Sequence, residues 1–440
     1  GIDFVRVGRV YNELFGSSTL LTQGKVIVIG GGTGMKAVVS AYLKDHLIAE
    51  ENLPLLFLVN STDSGGSTAR IQQGLYAKWG VSIPSFGDLM AAMACDLAAW
   101  KQDILEYRFK EEATTLEGLN TLRSLIREKY VMTVGLEEID AFIDSLSPYF
   151  EIVDQRFLQG GIISLSGQGH SVKNMLFLGM MSEVGAIRKG NLNKNKFSKG
   201  VKNIQRFLGS KILSIPVSFV SQKEVFLAAR LREKDSVSID CRDFDVEEVA
   251  GQVEITSTMH TQPYVKLELQ TKRGRVVNPA ANPQAVRVID HMQQGDQIIV
   301  GPGSDLTSKL ASIMIVGIRQ ALIRAKRRGV EIVFMFNTTI DTETIGHTVF
   351  SLVQLYEESL GSRFEEIFSS VVLNIPEPSD SNVAKLVAEG KDVEVASVQK
   401  EMRGKLMLGL FEPTQEEIEN LKQRGLKVYA GAFGCVTESR

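Results

Sequence analysis

Three cysteines in 440 residues, Cys95, Cys241 and Cys435, are too few and too widely spaced for a disulfide framework or a zinc site. They fit a reducing compartment. No apolar run reaches the ~18 residues of a membrane span. The opening Gly1-Ile2-Asp3-Phe4 also lacks the basic and then apolar stretches of a secretory leader. A cytoplasmic location and no membrane partner are therefore expected. An excess of one charge is missing too: 49 Lys and Arg against 52 Asp and Glu leave a net charge of −3, so no basic field recommends nucleic acid. There is no internal repeat and no low-complexity segment. What is present is 44 % hydrophobic content, enough for a substantial core and more than one lobe.

The apolar residues alternate between two patterns. Lys25-Val-Ile-Val-Ile runs into Gly30-Gly31-Gly32-Thr33-Gly34, the mark of a strand buried on both faces and closed by a tight turn. Met35, Val38, Val39 and Tyr42 then follow helical spacing. Leu55 to Val59, Gln297 to Val300 and Val330 to Phe336 repeat the strand pattern, and Val371 to Asn374 and Leu426 to Tyr429 are later candidates. Strands alternating with helices predict a Rossmann-like three-layer α/β/α fold with a mainly parallel sheet. Two stretches break the rhythm, a helical insertion and a β-rich subdomain. The division read from the pattern is 1–110, a Rossmann-like nucleotide-binding part; 111–160, the helical insertion; 161–211, a helical return carrying a Gly-His motif; 212–275, the β-rich subdomain; and 276–440, the second half of the Rossmann-like domain.

Ligands of open parallel sheets bind beyond the carboxyl ends of the strands, where three turns here carry polar chemistry. At Gly30 to Gly34, backbone N–H groups and a helix N-terminus suit a phosphate, although the same glycines also suit a plain strand-to-helix turn. The third glycine of a dinucleotide fingerprint would fall at Met35, and no acidic residue ends the second strand, so NAD is not expected. Gly301-Pro302-Gly303-Ser304 repeats the arrangement, either as a second anion seat or as a helix start capped by Ser304. Asp63, in Asp63-Ser64-Gly65-Gly66-Ser67, can hold magnesium or a sugar hydroxyl, or simply close an Asx turn. His170 precedes an apolar helix and reads as a structural or a site histidine. Lys189, Lys194, Lys196, Lys199 and Lys202 read as a solvated loop or a lid over an anion. Arg324, Lys326, Arg327 and Arg328 sit at a helix C-terminus, where the dipole favours cations.

Six of these segments, in order, resemble the 2-phospho-lactate transferase family, CofD, and its gluconeogenesis-factor branch, YvcK. They are Val28 to Gly34; Thr62 to Ser67 with Arg70; Pro84-Ser85-Phe86-Gly87-Asp88; Gly169-His170-Ser171 with Asn174; Asn282 to Val286 followed by Ile299 to Ser308; and Asn337 with Asp341, Thr344 and Gly346. The resemblance covers roughly residues 25–110 and 160–375. It implies a Rossmann-like fold, often a homodimer. In the YvcK branch it implies a protein that binds a nucleotide diphosphate such as a UDP-sugar and regulates carbon metabolism or cell shape. In the CofD branch it implies a magnesium-dependent transferase that moves a phospho-lactyl group from a guanylyl diphosphate donor to a deazaflavin or another alcohol. Gly65-Gly66-Ser67 and Gly169-His170 with Asn174 bring the chain nearer the first branch.

On that reading the ligand contacts are Gly31, Gly32, Thr33, Gly34, Asp63, Ser67, Gly87, His170, Asn174, Gly301, Gly303, Ser304 and Asn337. Asp63 and Asp88 would be catalytic only in a transferase, with Asp63 as the magnesium ligand. Two departures stand out: Ser64 replaces the second acid of an Asp-Asp pair, and Leu89-Met90 replaces an Arg-Asn after Gly87-Asp88. An NAD(P)-linked oxidoreductase is the least favoured class.

Overall fold

The fold comes from a computed structural model that describes residues 25–31, 35, 55–60, 66–110, 112, 114–165, 169–220, 225–231, 248–250, 255, 263–271, 273–301, 303–337, 339–340, 343–344, 346–375, 409–410 and 413–431. The chain divides into two units. One comprises Gly1–Asn60 with Val225–Arg440, the other Ser61–Glu224.

The first unit is built on parallel strands, β1 Val26–Gly30, β2 Leu55–Val59, β3 Gln297–Val300, β4 Glu331–Met335, β5 Ser370–Asn374 and β6 Lys427–Gly431. They lie in the order β6-β5-β4-β3-β1-β2, every neighbouring pair parallel. The residues of β1, β3 and β5 are buried throughout, as β-branched runs covered on both faces must be. The helices Pro283–Asp290, Val316–Arg327, Val349–Leu360 and Gln415–Gln423 alternate with the later strands, as parallel pairing requires. Asn282 starts the first of them: its side chain accepts from the Gln284 N–H, and Pro283 supplies the preset first turn.

β2 lies on one side of β1 and β3 on the other, so the winding reverses at β1. At such a reversal the carboxyl ends open a crevice, the usual ligand position in this architecture. β1 and β3 run in register from Val26 opposite Gln297 to Ile29 opposite Val300, so that Gly30 and Gly301 come next on the two strands.

The β-rich part of the first unit is a three-stranded antiparallel sheet with Phe226–Leu231 between Glu248–Ala250 and Tyr264–Gln270. The helical stretch after Ser304 is two pieces, Asp305–Ile313 and Val316–Arg327, bent by 76°. Ile315 adopts an extended backbone at the break.

The second unit is mainly helical, with Gly66–Trp79, Gly87–Ala94, Ala99–Glu106, Thr115–Tyr130, Leu136–Val153, Val172–Glu183 and Lys194–Leu208. Thr115–Tyr130 and Leu136–Val153 are its two long helices. The backbone N–H and hydroxyl of Thr115 both donate to Asp154 Oδ1, at 2.9 and 2.8 Å, and tie these two helices together. One expectation is corrected here. The basic stretch from Lys189 is not a loop: a short hairpin, Ile187–Arg188 with Asn191–Leu192, leads into the helix Lys194–Leu208. Asn193 caps that helix through the Lys196 N–H at 3.0 Å, and Phe197, Val201, Ile204 and Leu208 bury its inner face. Among the described residues no single helix is long and apolar enough to cross a membrane.

Candidate functional site

In the first unit the two glycine turns meet. Gly303 has φ +137°, and a Cβ placed on it would stand 2.7 Å from the Gly31 carbonyl oxygen and 3.0 Å from the Gly31 nitrogen. Only a residue without a side chain allows that approach. The Gly301 N–H donates to the Ile29 carbonyl at 2.8 Å, so the turn after β3 continues the pairing with β1 before it leaves the sheet. Asn60, at the end of β2, reaches across to donate from Nδ2 to the Thr307 carbonyl at 2.7 Å. The carboxyl ends of all three strands are thus joined at the reversal point.

Beneath this turn lies a buried charged group that the sequence reading missed. Glu343, Lys309 and Asp305 are each at most 1 % exposed. The Glu343 carboxylate accepts from the backbone N–H groups of Leu306 and Thr307, both at 3.2 Å, from Thr307 Oγ1 at 2.8 Å and from the Ser304 hydroxyl. Lys309 is ion-paired with Asp305 one helical turn away. It also donates to the Met335 carbonyl at 2.7 Å and to Asn337 Oδ1 at 3.1 Å, with its ammonium 5.0 Å from the centre of the Phe334 ring. Burial raises the Asp305 carboxyl above the ordinary carboxylate range; Lys309 pulls it down and Glu343 pushes it further up. Ser304 stands where an N-cap would, yet its hydroxyl makes no capping bond to the helix. A full negative charge is the better acceptor for those N–H groups, so Glu343 takes the cap and Ser304 donates to it.

In the second unit, three helix starts converge. Asn174, in the first turn of Val172–Glu183, donates from Nδ2 to the Ser67 hydroxyl of Gly66–Trp79. Gly87 begins its helix with a Cβ position 3.1 Å from Thr68 Oγ1. Phe86, just ahead of it, stacks on Phe177 with ring centres 4.1 Å apart. Asn174 Oδ1 and the Ser85 and Ser171 hydroxyls are buried and make no hydrogen bond among the described residues. The segment holding His170 is pinned by Phe109 N–H to the His170 carbonyl and Val172 N–H to the Tyr107 carbonyl, both at 2.9 Å. His170 is fully buried, and burial, reinforced by Arg70 and Arg108, lowers its pKa to about 4. Its imidazole is neutral at physiological pH. Converging helix N-termini, cations and the Ser85 and Ser171 hydroxyls suit a polar anion, while the Asn174 amide oxygen can only accept, as from a ligand hydroxyl.

The structure therefore places Gly31, Gly301, Gly303, Ser304 and Asn337 at the strand ends of the first unit, and Ser67, Gly87, His170 and Asn174 in one cluster of the second. Asp88 lies in the first turn of Gly87–Ala94, where a carboxylate complements the helix dipole. Gly32, Thr33, Gly34 and Asp63 lie outside the described residues. The magnesium reading rests on Asp63; among the described residues no group of three or more His, Cys, Asp or Glu is placed to hold a metal ion. Glu343 had a signal in the sequence. It sits in the segment from Asn337 to Gly346 used for the resemblance, between a buried strand and a helix, where a buried carboxylate needs a partner.

Comparison with known proteins matches residues 26–408 to the family described as 2-phospho-L-lactate transferase CofD. A protein of Thermotoga maritima named "Putative gluconeogenesis factor" is 22 % identical over 371 residues, covering 84 % of each chain. One of the same name from Aquifex aeolicus is 22 % identical over 411 residues, covering 92 % of this chain and 88 % of its own. Among solved structures, a UPF0052-family protein of Bacillus halodurans superposes with a TM-score of 0.57 at 18 % identity, over 93 % of both chains. At that identity the likeness concerns the fold.

Proposed function

We propose, from the premise that this chain belongs to the 2-phospho-L-lactate transferase CofD family, that it works as a gluconeogenesis-factor-type binding protein. Its ligand is a nucleotide diphosphate such as a UDP-sugar, held at the carboxyl ends of β1 and β3, and its role is regulation of carbon metabolism or of cell shape. The observation that carries this reading is the contact of Gly303 with Gly31 at the strand-order reversal. Glycines in both turns let backbone come close to a ligand, at the point where open α/β sheets bind nucleotides. The shared name of the Thermotoga and Aquifex relatives supports the gluconeogenesis-factor branch over the transferase.

Thermal unfolding against UDP-sugars, guanine nucleotides and NAD(P), each with and without magnesium, tests the reading. A UDP-sugar at 100 times its dissociation constant is expected to add about 2.7 kcal/mol of stability without needing magnesium. A response confined to guanine nucleotides with magnesium would replace the binding-protein reading by a transferase. Silence across the panel would remove the nucleotide-diphosphate premise itself.

A further inference from the structure

We infer that Glu343 is a built-in anion that determines where a ligand's phosphate can go: it closes the helix N-terminus after β3 to phosphate and leaves the Gly31 side of the crevice to receive it. The inference deepens the proposed ligand site and rests on that reading for the identity of the ligand. The first free N–H groups of a helix are the ordinary seat of a bound phosphate. Here Leu306 and Thr307 donate both of theirs to one internal carboxylate, and the hydroxyls of Ser304 and Thr307 are spent on the same group.

The surrounding charge strengthens the exclusion. Glu343 and Asp305 bring two buried acids to the base of the turn, with Lys309 ion-paired to Asp305. A phosphate brought to Leu306 would meet the Glu343 carboxylate in a low-dielectric setting. Ser304 is therefore a residue that holds the turn rather than one that grips phosphate. The β3 side of the crevice suits an uncharged, hydroxyl-bearing part of the ligand.

The probe is inorganic pyrophosphate, titrated into the wild-type chain and into Glu343→Gln. Glutamine keeps the size of the side chain and an acceptor oxygen but removes the charge. Pyrophosphate is expected to bind the variant at least about tenfold more tightly than the wild type, the factor that about 1.4 kcal/mol of relieved repulsion supplies. Equal or weaker binding, including no binding by either protein, overturns the inference. A merely structural cap would lower the unfolding temperature of the variant and leave its anion affinity unimproved. If Glu343→Gln does not fold, wild-type crystals soaked in pyrophosphate decide. An anion hydrogen-bonded to Leu306 or Thr307 N–H overturns the assignment, and those groups still bound to Glu343 in the soaked crystal uphold it. Failure of the ligand reading would show separately, as wild-type silence toward nucleotides.

Discussion

Gly303→Ala is expected to lose roughly 3–5 kcal/mol of stability. Part of the loss is backbone strain, since a side chain at φ +137° costs on the order of 1–3 kcal/mol. The larger part is the collision with Gly31, whose carbonyl oxygen and nitrogen would lie 2.7 and 3.0 Å from the new Cβ. That backbone cannot step aside cheaply, because the strand leading into it is paired on both edges, with β2 and with β3. Gly295→Ala is the control. It too has positive φ, at +95°, but nothing lies within 4 Å of its Cβ position, so only strain of about 1–2 kcal/mol is expected. Urea unfolding of both variants separates the terms. Equal losses would show that the contact between the turns is not tight in solution.

Lys309→Met should cost about 3–5 kcal/mol at pH 7, the usual penalty for stranding one member of a buried pair. Methionine fills the volume and keeps contact with Phe334, but Asp305 then loses the ion pair that lowers its pKa, and burial and Glu343, which raise it, are opposed only by a backbone hydrogen bond from Asn337. The sign of the pH dependence follows. A folded-state carboxyl held above its unfolded value, near ~3.9, binds its proton more tightly in the native protein. Stability is then full below the unfolded pKa and falls as pH rises toward and through the folded one. Urea midpoints of the variant should therefore recover on acidification from pH 7 toward 5, more steeply than those of the wild type. The double variant Asp305→Asn with Lys309→Met should regain much of the loss at pH 7, because position 305 then buries no charge that has lost its ion-pair partner. A variant that tracks the wild-type pH slope would mean that Asp305 finds another counter-charge or solvent.

The central strands of the parallel sheet were legible because β1, β3 and β5 are largely apolar runs buried along their whole length, which leaves no room for alternation. The turns at Gly30 and Gly301 were legible because they close two of those runs. Their mutual contact was not, because it depends on strand order, which no local pattern contains. The helix Lys194–Leu208 was hidden by its lysines, although Phe197, Val201, Ile204 and Leu208 already carried the helical spacing. The burial of Lys309 had only one local signal, Asp305 four residues earlier, and that spacing is common on solvated helices too. Ser304 misled because serine is a good N-cap in isolation, and the acid that displaces it from the role comes from a distant segment.

The most direct test is the crystal structure of the chain bound to a UDP-sugar. The account predicts the diphosphate beyond the carboxyl ends of β1 and β3, with at least one phosphate oxygen hydrogen-bonded on the Gly31 side. A bound nucleotide with no contact to that crevice would contradict it.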